Sequence, residues 1–257
     1  MTEPLLQVTG LSKRFGGVVA ADAVTLDIAP GECHAVIGPN GAGKTTLIGL
    51  LAGELAPQGG NISFEGRDIT ALPVHHRSQL GLARSFQITS LFADFTALDN
   101  VALAVQAHAG HSFRFWQDAY REGALREPAR EALDRVGLAA RADTRVDKLS
   151  HGEHRQLEIA VALATKPRLL LLDEPMAGLG LDESARMIAM LRQLKGSLTM
   201  VLVEHDMETV FALADRITVL VYGRVIASGD PAAVRADAAV REAYLGEQDA
   251  RQDRHHG

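Results

Sequence analysis

The sequence contains little cysteine and no long hydrophobic run. Its single cysteine, Cys33, excludes a disulfide within the chain and is typical of a reducing compartment. No apolar run reaches the roughly 18 to 20 residues that a membrane-spanning helix needs. The start Met1-Thr2-Glu3-Pro4 also lacks the basic and apolar stretches of a secretory signal. These absences predict a cytoplasmic chain without a membrane span of its own.

Basic residues are in the minority. There are 26 Lys and Arg against 32 Asp and Glu, which gives a formal net charge of −6. Proteins that bind nucleic acid by neutralising phosphates usually carry a basic face, so we expect no nucleic-acid partner. With 257 residues, of which 47% are hydrophobic, the chain is long enough for one large globular domain or two small ones.

One short stretch fits the phosphate-binding pattern Gly, four residues, Gly, Lys, then Ser or Thr. Its glycines lack Cβ atoms, so the backbone can curl with its N–H groups directed at an anion. The lysine adds a positive charge, the next threonine adds a hydroxyl for Mg²⁺, and the following helix adds the positive end of its dipole. Apolar runs at 33–37 and 45–52 supply the strand and helix that this pattern requires. The predicted loop comprises Gly38, Pro39, Asn40, Gly41, Ala42, Gly43, Lys44, Thr45 and Thr46.

Polar residues follow two further apolar runs, which we interpret as buried strands. The four leucines at 169–172 are followed by Asp173 and Glu174, and the run at 198–203 is followed by Glu204, His205 and Asp206. In an open α/β sheet, ligands collect beyond the carboxyl ends of the strands. We therefore expect Asp173, Glu174 and His205 to lie near the phosphate-binding loop.

The remaining regions differ in character. Alternation of apolar and polar residues at 5–30 and 62–65 predicts antiparallel strands, whereas 99–165 has the pattern of helices, with one run starting at Pro128. Ser150 and Glu153 have the spacing of a capping box, which predicts a helix N-terminus able to hold an anion. An aromatic patch in this region fits either local packing or a docking surface, and consists of Phe113, Phe115, Trp116 and Tyr120.

From Leu6 to about Gly246, the order and spacing of these motifs resemble the ATP-binding cassette (ABC) ATPases. The resemblance is closer still to the nucleotide-binding subunits of branched-chain amino-acid importers. It implies an α/β fold: a P-loop NTPase (RecA-like) core with an antiparallel β subdomain and an inserted α-helical subdomain. One cassette would span 1–247, with its core at 1–87 and 166–247, its helical subdomain at 88–165, and a loose tail at 248–257. The segments that carry the closer resemblance are Leu149-Ser150-His151-Gly152-Glu153, Leu157-Glu158-Ile159-Ala160, Met176-Ala177-Gly178-Leu179, Val203-Glu204-His205-Asp206-Met207 and Ala243-Tyr244-Leu245-Gly246-Glu247.

The resemblance implies a catalytic set. Glu174 matches the general base that orients water toward the γ-phosphate, and His205 matches the switch histidine that contacts this phosphate. Asp173 and Thr45 match Mg²⁺ ligands. Gln87 matches the glutamine that reaches both Mg²⁺ and the attacking water, although nothing in its local sequence indicates such a role.

The resemblance also implies nucleotide contacts in two subunits. Phe15 matches the aromatic residue that stacks on adenine, the alternative being a phenylalanine of the core. Ser150 and Gly152 match residues that address the γ-phosphate bound by the other subunit. The implied partners are a second cassette, identical or related, together with membrane permease subunits and, indirectly, a substrate-binding protein.

Two features depart from the common family pattern. His151 and Glu153 stand in a motif that commonly reads Leu-Ser-Gly-Gly-Gln, and Gly180 stands where most cassettes have an aspartate that contacts the partner. The leading hypothesis is an ATP- and Mg²⁺-dependent ATPase subunit of a branched-chain amino-acid importer, peripheral on the inner face of the cell membrane. The alternatives are a urea or amide importer, a lipid exporter, or a soluble cassette protein.

Overall fold

The computed structural model describes residues 3–85, 91–109 and 123–243. Strands within these ranges include β1 (Leu6–Phe15), β2 (Val18–Ile28), β3 (Cys33–Ile37), β4 (Gly59–Phe64), β5 (Arg67–Asp68), β6 (Leu82–Arg84), β7 (Leu169–Asp173), β8 (Thr199–Val203), β9 (Arg216–Val221) and β10 (Arg224–Gly229). Helices include α1 (Lys44–Ala52), α2 (Val74–Gln79), α3 (Ala97–His108), α4 (Gly123–Arg135), α5 (His151–Leu163), α6 (Leu181–Leu194), α7 (Met207–Leu213) and α8 (Pro231–Ala236). None of the helices in these ranges combines the length and the apolar character needed to cross a bilayer.

The described residues fall into two compact units, of which the first combines 3–77 with 195–243. It contains an antiparallel sheet in the order β2-β1-β4-β5, as the alternation at 5–30 and 62–65 predicts. In β2, Val24, Leu26 and Ile28 are buried while Thr25 and Asp27 are exposed, so a single face of this strand meets the core. The antiparallel prediction is therefore confirmed.

The second sheet of this unit is built around β3. This strand runs parallel to β8 on one side and to β9 on the other, and β10 pairs antiparallel with β9. Every residue of β3 and of β8 is buried, as is usual for parallel strands covered on both faces. Cys33 is buried too, and burial raises the pKa of its thiol to about 12, so the thiol stays protonated at neutral pH.

A polar network crosses this otherwise apolar strand at His34, whose side chain is fully buried. Its Nδ1 lies 2.7 Å from Glu32 Oε1, and its Nε2 lies 2.8 Å from Thr218 Oγ1 on β9. The second carboxylate oxygen of Glu32 accepts a hydrogen bond of 2.9 Å from the Ala29 amide. Every ring nitrogen and both carboxylate oxygens thus have partners, as buried polar groups require.

This network predicts a stability that depends on pH through Glu32. Burial alone would raise the pKa of Glu32, but hydrogen bonds from His34 and from the Ala29 amide lower it below its usual value. A carboxyl whose pKa is lowered by folding stabilises the fold above its unfolded pKa, near 4.3, and loses this contribution as the pH falls through the folded value. Glu32→Gln should therefore cost about 1–3 kcal/mol at pH 7.

Urea unfolding of both proteins between pH 7 and pH 3.5 measures this difference. The difference in unfolding free energy between wild type and Glu32→Gln should shrink as the pH falls below about 4.5. A difference that stays constant over this range would show that Glu32 is not the titrating group.

The second unit comprises the described residues of 78–194. Its β6 lies parallel to β7, and α3, α4 and α5 pack against one another. The helix predicted to start at Pro128 instead includes Gly123–Arg135. Proline is tolerated inside this helix because Leu125, Ala129, Ala132 and Leu133 all bury their side chains on one face. The aromatic patch at 113–120 and the tail at 248–257 lie outside the described residues, and the predicted subdomain boundaries stay a prediction.

Candidate functional site

The loop between β3 and α1 depends on glycine at three positions. Gly38, Gly41 and Gly43 have φ angles of 150°, 79° and 101°, a backbone region that residues with side chains rarely adopt. A Cβ at Gly38 would lie 2.0 Å from the Leu220 carbonyl oxygen, and one at Gly43 would lie 2.0 Å from that of Ala20. The neighbouring backbone therefore leaves no room for a side chain at Gly38 or Gly43, whereas at Gly41 the φ angle alone favours glycine.

The first turn of α1 is arranged to receive an anion. Gly43 precedes the helix without a side-chain cap, and the first turn contains no acidic residue. The positive end of the helix dipole therefore meets neither a side-chain cap nor a carboxylate from its own first turn. Lys44 is buried beneath the loop, where its Nζ donates to the carbonyls of Gly38 at 2.6 Å and Pro39 at 3.0 Å, and Thr45 is exposed.

The turn between β9 and β10 anchors this loop, which sequence reasoning did not predict. The Gly223 amide donates to the Ala42 carbonyl at 2.9 Å, and the Gly223 carbonyl accepts from the Asp22 amide at 2.9 Å. The only signal in the sequence was a Tyr-Gly hairpin turn, and such a turn carries no information about what it contacts.

Phe15 ends β1 with 47% of its surface exposed. This exposure excludes the alternative of a core phenylalanine and leaves a ring face open to solvent. Lys13 Nζ lies 5.4 Å from the ring centroid and donates to the Ala56 carbonyl at 2.7 Å. An exposed ring on a rigid strand can stack on a flat heteroaromatic ligand.

His205 follows β8 at the edge of the sheet where the phosphate-binding loop follows β3. The register pairs Val36 with Val203, so both strands end at this edge. The side chain of His205 is 63% exposed, and its Nδ1 lies 3.9 Å from Glu204 Oε2. Glu204 itself is buried, and Asp206 caps α7 by accepting from the Glu208 and Thr209 amides. Of these three consecutive polar residues, Glu204 is buried and Asp206 is exposed but engaged in the helix cap, whereas His205 has an exposed side chain outside that cap.

In the second unit, Asp173 ends the fully buried strand β7. Arg84 at the end of β6 places its Nη2 2.9 Å from Asp173 Oδ2, and both side chains are nearly buried. The Ser85 amide then donates to the Leu171 carbonyl at 2.9 Å, which continues the pairing with β7 one residue beyond β6. Gln87 lies outside the described residues. The Arg84–Asp173 pair was missed because 89 residues separate the partners.

Glu174, the next residue, has a left-handed backbone with φ of 49°. Non-glycine residues in this region cost of order 1 to 3 kcal/mol and concentrate at functional sites. The observed strain therefore supports a functional hypothesis for Glu174, whose side chain is half-buried.

Ser150 caps α5 and forms the predicted capping box with Glu153. Ser150 Oγ accepts from the Glu153 amide at 3.2 Å, and Glu153 Oε2 accepts from the Ser150 amide at 2.7 Å. Burial raises the pKa of Glu153, but these contacts and Arg141, whose Nε lies 2.8 Å from Oε1, lower it overall. The common motif has glutamine at the position of Glu153. A glutamate is favourable here because Arg141 provides a cationic partner for its carboxylate.

Gly180 precedes α6 and is exposed. A Cβ at this position would meet no heavy atom of the described residues within 4 Å. Crowding within the described part of the chain therefore does not explain why the aspartate is missing here.

Comparisons with known proteins show what the chain is similar to. A family described as "ABC transporter" matches residues 21–177, and one described as "Branched-chain amino acid ATP-binding cassette transporter" matches 224–250. The chain is 38% identical over 256 residues to the high-affinity branched-chain amino acid transport ATP-binding protein BraF of Pseudomonas aeruginosa, covering 96% of this chain and 100% of BraF. It is 37% identical to LivG of Escherichia coli, a protein of the same description, with the same coverage.

A solved structure shows the same fold. The ADP conformation of MJ1267, an ATP-binding cassette of an ABC transporter, superposes with a TM-score of 0.84 and 29% identity, covering 95% of this chain and 100% of that one. The predicted α/β fold class of a P-loop NTPase is therefore confirmed.

Proposed function

The chain belongs to the ABC transporter family of ATP-binding proteins, and from this premise we propose that it is the ATP-hydrolysing subunit of an importer for branched-chain or related amino acids. The observation that carries the importer assignment is the match of residues 224–250 to the family specific for branched-chain amino-acid transporters. The names of BraF and LivG support it. A chain of this kind lies peripherally on the inner face of the cell membrane.

Separate groups of residues bind the phosphates and the base of the nucleotide. The loop of Gly38 to Thr46 and the N-terminus of α1 direct N–H groups at the β- and γ-phosphates, with Lys44 as a point charge. Phe15 stacks on adenine, for which its exposed ring is suited. His205 contacts the γ-phosphate, and its exposed side chain leaves it available to do so.

Mg²⁺ would be held by Thr45, Asp173 and Gln87. The chemistry of the first two fits a hard cation, because both offer oxygen ligands and Asp173 already accepts a cationic partner in Arg84. The ion supplies neutralisation of the phosphate charge. Glu174 orients the attacking water and accepts its proton, a role that suits a carboxylate fixed by a strained backbone.

A complete site needs a second cassette. Ser150 and Gly152 at the N-terminus of α5 address the γ-phosphate bound by the partner, which is either identical or a related chain. ATP binding closes the pair and hydrolysis opens it, and permease subunits follow this motion. A substrate-binding protein selects the transported amino acid.

Uptake measurements test this proposal. Deletion of the gene from its native organism should reduce uptake of radiolabelled leucine, isoleucine and valine to background, and the wild-type gene should restore it. Lys44→Ala should leave uptake at the level of the deletion strain, because the variant loses the charge beneath the phosphates. Unchanged amino-acid uptake with a loss of urea uptake, or a defect in lipid export, would contradict the amino-acid assignment in favour of those alternatives.

A further inference from the structure

A carboxylate from α6 occupies the N-terminus of α5. Glu183 Oε1 accepts a hydrogen bond of 3.1 Å from the Gly152 amide and one of 3.3 Å from Ser150 Oγ. Its Oε2 lies 3.4 Å from the Gly180 amide. Ser150 and Gly152 are the donors that the proposed function assigns to the partner's γ-phosphate. In the isolated chain these donors thus already hold an anion, and that anion belongs to the chain itself.

The contact is close because residue 152 is a glycine. A Cβ there would lie 2.7 Å from Glu183 Oε1, nearer than real side chains approach. The amides of Gly180 and Gly152, then the Ser150 hydroxyl and the charge of Arg186, lower the pKa of Glu183. The carboxylate is therefore ionised at neutral pH and lies at the positive end of the α5 dipole.

A second partner for this carboxylate lies close by. A cavity of about 390 Å³ adjoins the contact and is lined by Ser150, Gly152, Gln156, Glu183 and Arg186, among others. Arg186 follows Glu183 by three residues on α6, a spacing at which side chains of a helix reach each other. When the Glu183 carboxylate leaves Ser150 and Gly152, it can therefore move into this cavity and pair with the Arg186 guanidinium.

We propose that Glu183 is an internal competitor of the γ-phosphate: it occupies Ser150 and Gly152 in the open cassette and moves to Arg186 when the partner's nucleotide arrives. The inference rests on the proposed role of the α5 N-terminus. Two anions cannot share the same donors, so each closure must displace the carboxylate. Only cassettes in which Glu183 has left Ser150 and Gly152 can receive the partner's γ-phosphate. The apparent affinity of the dimer for ATP is therefore lower than it would be without Glu183.

ATP-driven pairing measures this competition directly. In a Glu174→Gln background, which prevents turnover, size-exclusion chromatography with light scattering gives the ATP concentration for half-maximal dimer. Glu183→Ala should lower this concentration by about three- to tenfold, and Glu183→Gln by less, because its amide can still accept hydrogen bonds. Asp182→Ala is the matched control, since it removes a carboxylate from the same turn of α6, and it should have no effect.

An independent measurement detects the contact without nucleotide. In ¹⁵N-labelled protein, the Gly152 amide signal should move strongly in Glu183→Ala and stay in place in Asp182→Ala. If the Gly152 signal does not move in Glu183→Ala, the inference is wrong while the proposed function stands. The same conclusion follows if Glu183→Ala and Asp182→Ala need the same ATP concentration for half-maximal dimer. A higher ATP requirement in Glu183→Ala would also overturn it. Failure of the Glu174→Gln protein to pair at any ATP concentration would instead contradict the shared site of the proposed function, and the inference would fall with it.

Discussion

Glu174→Gln should slow ATP hydrolysis by about 10²- to 10⁴-fold while leaving ATP binding intact. Glutamine keeps the size and the backbone requirement of glutamate, but its amide cannot accept a proton from the attacking water. The variant should therefore accumulate as a closed dimer, since ATP that is not hydrolysed keeps the two cassettes together. Phosphate release measures turnover, titration calorimetry measures binding, and light scattering measures the dimer.

A matched control separates loss of the base from disturbance of the backbone. Glu65, in the turn between β4 and β5, is also a non-glycine residue with left-handed backbone, with φ of 50° against 49° for Glu174. Glu65→Gln changes the same functional group at the same kind of backbone position and should hydrolyse ATP at the wild-type rate. Normal hydrolysis by Glu174→Gln would exclude Glu174 as the general base.

Much of the first unit could be predicted because its signals are local. The alternation along β2, the apolar runs of β3 and β8, and the glycines of the phosphate-binding loop are each properties of a few neighbouring residues. The capping box of Ser150 and Glu153 is local in the same way. Patterns of this kind fix which elements form, and the family resemblance then supplied their functional roles.

The polar pairs inside the fold could not be predicted because their partners are distant in sequence. His34 reads as part of an apolar-rich run, yet its partner Thr218 lies 184 residues further on. The amide that donates to Glu183 lies 31 residues earlier, at Gly152. A charged or polar residue in the sequence shows that a partner is needed, but only the packing of the elements determines which group provides it.

The boundary of α4 shows a different limit. Pro128 is a strong local signal for a helix start, but the helix extends N-terminal to it, because Leu125 and Ala129 are buried on the same face as Leu133. Burial of these side chains outweighs the hydrogen bond that proline cannot make. A local rule gives way here to tertiary packing.

The second large effect is expected at Arg77, the bulkiest of the fully buried side chains among the described residues. It donates to four backbone carbonyls: Leu50 and Leu51 at 2.7 Å, Leu72 at 2.8 Å and Thr70 at 3.0 Å. Burial lowers its pKa to about 10, so the guanidinium remains charged at neutral pH. Two of its acceptors belong to the last turn of α1, at the negative end of the helix dipole. Of these, the Leu50 carbonyl also accepts from the Gly53 amide at 3.3 Å.

Arg77→Met should therefore lower the free energy of unfolding by about 3 to 5 kcal/mol, because methionine fills a similar volume but leaves these carbonyls without their donor. Urea unfolding measures the loss. Arg67→Met in the exposed strand β5 removes the same charge and should change stability by less than about 0.5 kcal/mol.

Arg77→Lys distinguishes charge from geometry. Lysine keeps the positive charge near the end of α1, but a single ammonium cannot reproduce the planar fork that joins the last turn of the helix to Thr70 and Leu72. Its stability should lie between those of wild type and Arg77→Met. Because α1 carries the phosphate-binding loop at its other end, both variants should also weaken ATP binding in the order of their stability losses. Full stability with lysine would show that the charge at the helix terminus, rather than the set of four hydrogen bonds, is what the fold requires.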